Sequence, residues 1–449
     1  MRFAYYTVEG STLSWQRRLL DEGHEVLVFF GKGKDGNPIP QKGVGAGLVP
    51  VETSRERWIR WGSERADTIW FFDGSGAGKF AELLRRSGKL VVGGGEFCDR
   101  LENDRPFGEK FAAQAGVMIP PTKEFSSVSA AIAFLEKNPK QQFGDGGWAW
   151  KSNTYLEASA TFVGKDSKEV IEYLKYVMSR FRDGISCILQ EKIDGVALST
   201  AQWWNGRAFV GPLEGTLEKK KFMCGEKGPA TGCSLNLVWF YPDAPPIART
   251  LRWDGVGQQL LKNNAPPGLY DINAIVNDDG AYFLEWTPRL GIDSEPTSQR
   301  GIVNLGQFLY NLATGRDVEQ LFIKDRAYCA VRISVPPYPT ESKGVEDLKT
   351  AEHVPIWGAD GLWQGHFVAA GVAQGPNGLE VADPYGFVGN VLASGTNLKT
   401  MFDEVYSYLD KELRIPNLQY RKDAYEAISK DIEEMAEMGW ETTPILEVE

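Results

Sequence analysis

The distribution of short apolar runs along the chain predicts a multidomain protein of mixed α/β and α+β class. It has a parallel α/β sheet domain at the amino-terminal end and an α+β domain at the carboxyl-terminal end. Three observations predict this. Up to residue 102, strand-like runs alternate with helical stretches. From Asn103 a proline-bearing helix opens a smaller mixed unit. Beyond residue 197 the strand-like runs lengthen.

In the first region, "RFAYYTV" reads as a strand, "STLSWQRRLLDEG" as a helix closed by glycine, and "EVLVFF" as the next strand. "TIWFFD", "GKFAELLRRSG" and "KLVVGGG" repeat the unit. Such alternation implies a parallel sheet, whose ligands gather at the carboxyl ends of the strands. "NDRPFGEKFAAQAG" is a helix that tolerates Pro106 in its first turn, and the paired prolines of "VMIPPTKEF" require extended backbone. "SVSAAIAFLEKN", "WAWKSN", "ATFVGK", "SKEVIEYLKYVMSRF" and "CILQEKIDG" make a small α+β unit. "LSTAQWWNG", "AFVGPLEGTLE", "LYDINAIVND" and "GAYFLEWTPRLG" are longer strands, and "LKTMFDEVYSYLDKEL" is a late helix. The expected units are 1–102, 103–196, 197–325, 326–428 and an acidic segment, 429–449.

With 449 residues, 42% hydrophobic and 24% charged, the composition is that of a soluble globular chain. No apolar run approaches the roughly 20 residues of a membrane helix, and "MRFAYYTVEG" lacks the regions of a signal peptide. A net charge of −11 argues against nucleic acid as a partner. The five cysteines show no paired metal spacing and read as reduced thiols of a cytoplasmic protein.

"FFDGSGAGKFAELL", residues 71–84, has the wording of a phosphate-binding loop but not its chemistry. Asp73 stands where the first glycine of a P-loop belongs, and Phe80 where the metal-binding hydroxyl belongs. Three glycine-bearing loops, 8–12, 73–78 and 93–96, reach the same sheet edge. They serve either tight turns or a ligand lying against the backbone. Further along, Lys151 ends the strand "WAWK". Glu285 and Thr287 share one face of a strand with Arg289 just beyond, and Asp271 and Asn273 share a face of the preceding strand. Oxygen donors on two adjacent strands suit magnesium, and Arg289 and Lys151 suit the phosphates it bridges.

In this order the segments resemble the ATP-grasp superfamily, in which ATP lies between a small lid and a larger sheet. The resemblance implies an ATP-grasp fold, with ATP and Mg2+ (or Mn2+) as cofactors. It makes Lys151 the lid lysine, Arg105 an upstream cation, and Glu191, Lys192 and Ile193 the adenine hinge. Glu285 becomes a metal ligand and Arg289 a clamp on phosphate or acyl phosphate. Within the superfamily the chain resembles phosphoribosylamine–glycine ligase, the purine-pathway enzyme that makes glycinamide ribonucleotide. The likeness runs over residues 1–428. It rests on "SGKLVVGGGEFCDRLENDRPFGEKFAAQAGVMIPP", "EKKKFMCGEKGPATGC", "LYDINAIVNDDGAYFLEWTPRLG" and the late "YRKDAYEAI". It places Glu9, Gly10, Ser11, Asp73, Gly74, Gly93 and Gly94 on the amine side. It adds Lys220, Lys221, Gly228, Thr231, Gly232 and Asp293 to the substrate set, with "GPATG" offering backbone N–H groups to a carboxylate.

The chain departs from the family pattern at defined places. "VEGSTLS" keeps Gly10 but lacks the family's Arg and His, and the lid loop "SNTYLEASAT" has no glycine. Gly195-Val196-Ala197 replaces Gly-Glu-Glu, and Thr287 replaces the metal-binding Asn, with Asp271 or Asn273 as compensating ligands. The resemblance implies an ATP-dependent carboxylate–amine ligase that forms an amide through an acyl phosphate. A ligase for a different amine and amino acid, or a weakly active nucleotide-binding protein, are the alternatives. The implied partners are small-molecule amine and amino-acid substrates, in a monomer or small homo-oligomer.

Overall fold

The computed structural model describes residues 1–8, 10–31, 43–138, 147–153, 161–180, 184–339, 351–441 and 446. The first unit is a parallel sheet of β1 (Arg2–Thr7), β2 (Glu25–Phe30), β3 (Val51–Glu52), β4 (Ile69–Phe72) and β5 (Leu90–Val92), in the order β3-β2-β1-β4-β5. Helices α1 (Leu13–Asp21), α2 (Arg55–Ser63) and α3 (Gly78–Arg86) make the crossovers. Phe3, Tyr5, Ile69 and Phe71 are buried toward the main core, whereas Ala4, Trp70 and Phe72 pack a second one with Trp58. Burial on both faces explains why these strands read as continuous apolar runs rather than as alternating ones.

Helices α4 (Glu96–Asn103) and α5 (Arg105–Ala115) lead out of this unit. Asp104 caps α5 by accepting the Phe107 N–H at 3.1 Å, and Pro106 sits in the first turn, where its missing N–H costs nothing. Gly108 lets α5 approach the large sheet: a Cβ there would lie 2.8 Å from the Leu101 carbonyl oxygen and 3.2 Å from Trp286. The lid follows as a four-stranded sheet, β6-β9-β7-β8, built from β6 (Thr122–Phe125), β7 (Trp148–Ser152), β8 (Thr161–Gly164) and β9 (Cys187–Glu191). It is backed by α6 (Val128–Lys137) and α7 (Ser167–Arg180) around its own core of Leu135, Trp150, Leu174 and Leu189.

The remaining strands are β10 (Val196–Trp204), β11 (Phe209–Met223), β12 (Lys227–Phe240), β13 (Gly268–Asn277), β14 (Gly280–Trp286), β15 (Ala327–Ser334), β16 (Phe367–Ala369), the hairpin β17 (Val372–Gly375) and β18 (Gly378–Val381), and β19 (Phe387–Gly395). Eight of them form one antiparallel sheet, β14-β13-β10-β11-β12-β15-β19-β16. The expected units 197–325 and 326–428 are thus joined through the β12–β15 ladder. Helices α8 (Pro246–Thr250), α9 (Trp253–Lys262), α10 (Ser294–Ser298), α11 (Leu305–Ala313), α12 (Leu398–Lys411) and α13 (Ala424–Glu437) complete the described elements. The acidic segment begins inside α13, whose Ile432 and Met435 are buried and whose Asp431 holds Lys219 at 2.6 Å.

One sequence expectation changes here. "GPATG", expected to offer backbone N–H groups to a carboxylate, lies within β12, which begins at Lys227 and pairs Ala230 with Lys221. The ladder resumes at Leu235 opposite Lys219, so residues 231–234 bulge out beside Lys220.

Candidate active site

Four segments converge where the lid meets the end of the large sheet. Lys151 is buried, 7% exposed, and its Nζ donates to Gln190 Oε1 at 2.8 Å and to the Leu284 carbonyl at 3.3 Å. A lysine on the lid thereby reaches β14 of the large sheet. Arg105, the first residue of α5, donates from Nε to the Ser152 carbonyl at 3.1 Å, and its guanidinium lies 3.7 Å from Glu285 Oε2. Lys220, from β11, lies 3.4 Å from Glu285 Oε1. The solvated strand-end lysine that local sequence would favour is therefore not what forms.

The charges respond to this crowding. Burial, and then the neighbouring Arg105, bring the Lys151 ammonium down to about 8. Partial desolvation opposes ionisation of Glu285, but Lys220, Arg105 and Lys151 hold it down at about 2. Lys220 is desolvated as well, yet Glu285 and Glu218 raise it to about 12. The recess thus keeps a carboxylate ionised and presents three cations around it.

Beside Glu285 stands a second oxygen group. Asn273 pairs across the ladder with Glu285, and its Nδ2 lies 3.3 Å from both Asp271 Oδ2 and Thr287 Oγ1. Ser199 donates to Asp271, and the Thr287 N–H donates to the Asp271 carbonyl at 2.9 Å. Desolvation, aided by Glu218 and Glu285 and offset by Ser199, lifts Asp271 to about 7. That lift comes first from burial, and a bound divalent cation would favour the ionised form. Among the described residues no three His, Cys, Asp or Glu side chains gather to hold a metal by themselves. The set of Asp271, Asn273, Glu285 and Thr287 fits a hard cation that shares its shell with ligand oxygens or water.

Other expected site residues lie elsewhere or are engaged. Arg289 donates from Nε to Glu102 at 3.1 Å and from a terminal nitrogen to the Leu290 carbonyl at 2.9 Å. The Lys192 N–H donates to the Gly147 carbonyl at 3.2 Å and its Nζ lies 2.5 Å from Asp194, while the Glu191 N–H donates to the Pro121 carbonyl at 2.9 Å. Ile193 follows in the turn after β9. Asp293 is 1% exposed and takes a two-pronged contact from Arg332, which also holds the Thr231 carbonyl at 2.6 Å. Lys221 offers its carbonyl to Arg421 at 3.0 Å, and Gly228 and Gly232 hold positive φ in the β11–β12 hairpin.

On the first sheet's edge the glycines serve packing. The N–H groups of Gly76 and Gly78 donate to the two oxygens of Asp99, at 2.7 and 2.8 Å, so an internal carboxylate fills the turn that resembles a phosphate loop. Gly93 has φ +73°, its N–H donates to the Pro267 carbonyl at 2.8 Å, and a Cβ would sit 2.1 Å from the Phe72 carbonyl oxygen. Gly94 packs against Phe72 and Ala81, and Gly10 against Val44. Asp73 accepts the Thr12 hydroxyl at 2.5 Å, below Ser11 and Gly74 at the same edge. Glu9 lies outside the described residues, as does most of the lid loop "SNTYLEASAT".

Sequence reading passed over Gln190, Glu109, Glu102 and Arg332. The only available signal was local: Gln190 is polar within the otherwise apolar run "CILQ".

The fold, a small lid on a large antiparallel sheet behind a parallel-sheet domain, is of ATP-grasp type, and cations meet a carboxylate between lid and sheet. A phosphoribosylamine–glycine ligase crystal structure from Thermotoga maritima matches 94% of this chain and 100% of its own, with a TM-score of 0.69 and 18% identity. The biotin carboxylase domain of Hydrogenobacter thermophilus 2-oxoglutarate carboxylase, solved with magnesium ADP and bicarbonate, matches 98% of this chain and 96% of its own. Its TM-score is 0.61 and its identity 13%. No protein-family model matches the chain. In sequence, the chain is similar to the phosphoribosylamine–glycine ligase of Leptospira interrogans, at 24% identity over 361 residues, or 77% of this chain and 79% of that protein.

Proposed function

We propose that the chain is an ATP-dependent carboxylate–amine ligase of the phosphoribosylamine–glycine ligase type. The observation that carries this reading is the approach of Arg105 and Lys220, from the leading helix and the large sheet, to one ionised carboxylate, Glu285, with Lys151 of the lid held on the carbonyl of the adjacent Leu284. These cations lie far apart in sequence, and gathering them costs electrostatic free energy that a polyphosphate would repay. In the proposed reaction a substrate carboxylate attacks the γ-phosphorus of ATP, the bond from that phosphorus to the bridging oxygen breaks, and ADP leaves to give an acyl phosphate. The amine then displaces phosphate to give the amide. Asp271, Asn273, Glu285 and Thr287 would hold Mg2+, which neutralises and orients phosphate oxygens when bound. Lys151 and Arg105 bind phosphates, Lys220 keeps Glu285 ionised, and the lid excludes water from the acyl phosphate.

A second reading concerns only the amine. Asp99 occupies the N–H groups of Gly76 and Gly78, and Asp73 is buried against Thr12, so this loop has an acidic interior. That favours an amine other than a phosphorylated ribosylamine. ADP release in the presence of phosphoribosylamine and glycine, set beside a panel of other amines and amino acids, separates the readings. Efficient turnover with that pair, near the roughly 10 s⁻¹ enzyme median, would overturn the altered-amine reading. Silence across the whole panel would overturn the ligase reading.

A further inference from the structure

We infer that Gln190 is a positioning residue for Lys151, holding its ammonium toward the nucleotide phosphates without neutralising it. The inference rests on the ligase reading for the identity of the ligand, but its geometry stands alone. In the lid sheet Gln190 pairs with Ala149 on one side and with Thr122 on the other, while Lys151 pairs with Ile188 two residues along. Gln190 and Lys151 therefore share a face and meet diagonally. Gln190 is 1% exposed, and every polar atom of its amide has a partner. Oε1 accepts from Lys151 at 2.8 Å, and Nε2 donates to Glu109 Oε1 at 3.2 Å and to Thr122 Oγ1 at 3.0 Å. Thr122 in turn gives its hydroxyl proton to the Pro120 carbonyl at 2.9 Å, which leaves its oxygen free to accept.

These partners decide which way the amide faces. Were it reversed, its N–H groups would point at an ammonium and its carbonyl at a carboxylate, so Glu109 keeps the oxygen on Lys151. The choice of an amide has a charge consequence. Both oxygens holding Lys151, from Gln190 and the Leu284 backbone, are neutral, and together they use two of its three N–H bonds. A glutamate at the same place would fix the lysine equally well and cancel the charge a phosphate needs.

The test is a double-mutant cycle on the full chain, reading the affinity of a non-hydrolysable ATP analogue with magnesium for wild type, Gln190→Met, Lys151→Met and the double variant. Gln190→Met should weaken binding about tenfold when Lys151 is present, the range for a hydrogen bond to a charged group, and under about twofold when it is absent. Equal losses in both backgrounds would mean a merely structural role and overturn the inference. Nucleotide-free acetylation of Lys151 by acetic anhydride, scaled to exposed Lys79 and read by peptide mass spectrometry, gives a second readout. Its relative rate should change severalfold in Gln190→Met, and an unchanged rate overturns the inference whether or not the chain binds ATP. A changed rate in a chain that binds no analogue upholds the positioning role and overturns the nucleotide reading. If Gln190→Met does not fold, Glu109→Gln carries the same two measurements, since it removes the group that sets the amide's direction.

Discussion

Lys151 and Lys79 are the two lysines beside loops with a claim on phosphates, and their surroundings separate them. Lys151 is buried among neutral acceptors, whereas Lys79 lies exposed on α3, whose loop N–H groups Asp99 already occupies. Lys151→Ala should reduce nucleotide affinity by about 10² or more while the fold persists, and Lys79→Ala should change it less than about twofold; calorimetric titration with magnesium ATP checks both. The reverse ranking would return the phosphates to the first domain. The Lys151 proton affinity adds a pH dependence. Its folded value, about 8, lies below its ordinary value of 10.5, so the unfolded chain binds more protons between those limits. This group's contribution to stability therefore rises with pH across that window. Nucleotide affinity should move the other way, falling above pH 8 as the ammonium is lost. Lys151→Met should abolish that alkaline limb.

At the scale of elements, β13 and β14 bring four oxygen donors together only because Asn273 opposes Glu285 in their ladder. Glu285→Gln should lower magnesium-dependent turnover by about 10² or more. Thr287→Asn should lower the magnesium concentration needed for half-maximal rate. An unchanged magnesium dependence in Glu285→Gln would move the metal to Asp271 alone. A separate element carries a second pH dependence. His366 reaches Asp360 at 2.7 Å from Nδ1 and Glu404 at 2.9 Å from Nε2, tying the segment before β16 to α12. Burial opposes its charge, but the two carboxylates raise its pKa above the usual 6.5. The tie is therefore complete below pH 6.5 and is lost as pH rises through the raised value. Amide exchange at His366 and Phe367, corrected for intrinsic rates, should speed up across that rise in wild type and show no such step in His366→Gln. The ring is about one-third exposed, so the effect belongs to local opening rather than to global stability.

Over the whole molecule, the lid has its own hydrophobic core and meets the large sheet through polar contacts such as that of Lys151 with Leu284, while the segment leading into it is tied by the Phe283 N–H to the Met118 carbonyl at 2.9 Å. A ligand between lid and sheet should therefore stabilise their docking. Magnesium ATP at about 100 times its dissociation constant should stabilise the folded chain by about 2.7 kcal/mol, seen as a raised melting temperature. Chelation of magnesium should remove most of that rise. A shift as large in Lys151→Ala as in wild type would place the nucleotide outside the lid cleft.

Local physics was legible in the sequence. Alternating apolar runs and helices specified the parallel first sheet, because a strand covered on both faces must be apolar throughout. Period-two spacing put Asp271 with Asn273 on β13, because strand geometry alone determines that relation, whereas Thr287 lies one residue past β14 and is placed by its N–H to the Asp271 carbonyl. Asp73 and Phe80 excluded a P-loop without any coordinates. Tertiary structure alone decided the rest, because it depends on which distant segments meet. No local pattern tells that Gln190 faces Lys151, that Glu102 engages Arg289, or that Asp99 fills the glycine turn. "GPATG" offered backbone N–H groups on paper, yet the long β11 draws it into a ladder whose register shifts on both sides of the Lys221–Ala230 pair. The burial of Lys151 belongs to the same kind: a strand-end lysine is solvated by default, and here α5, β9 and β14 enclose it with the oxygens and neighbouring charges that decide its chemistry.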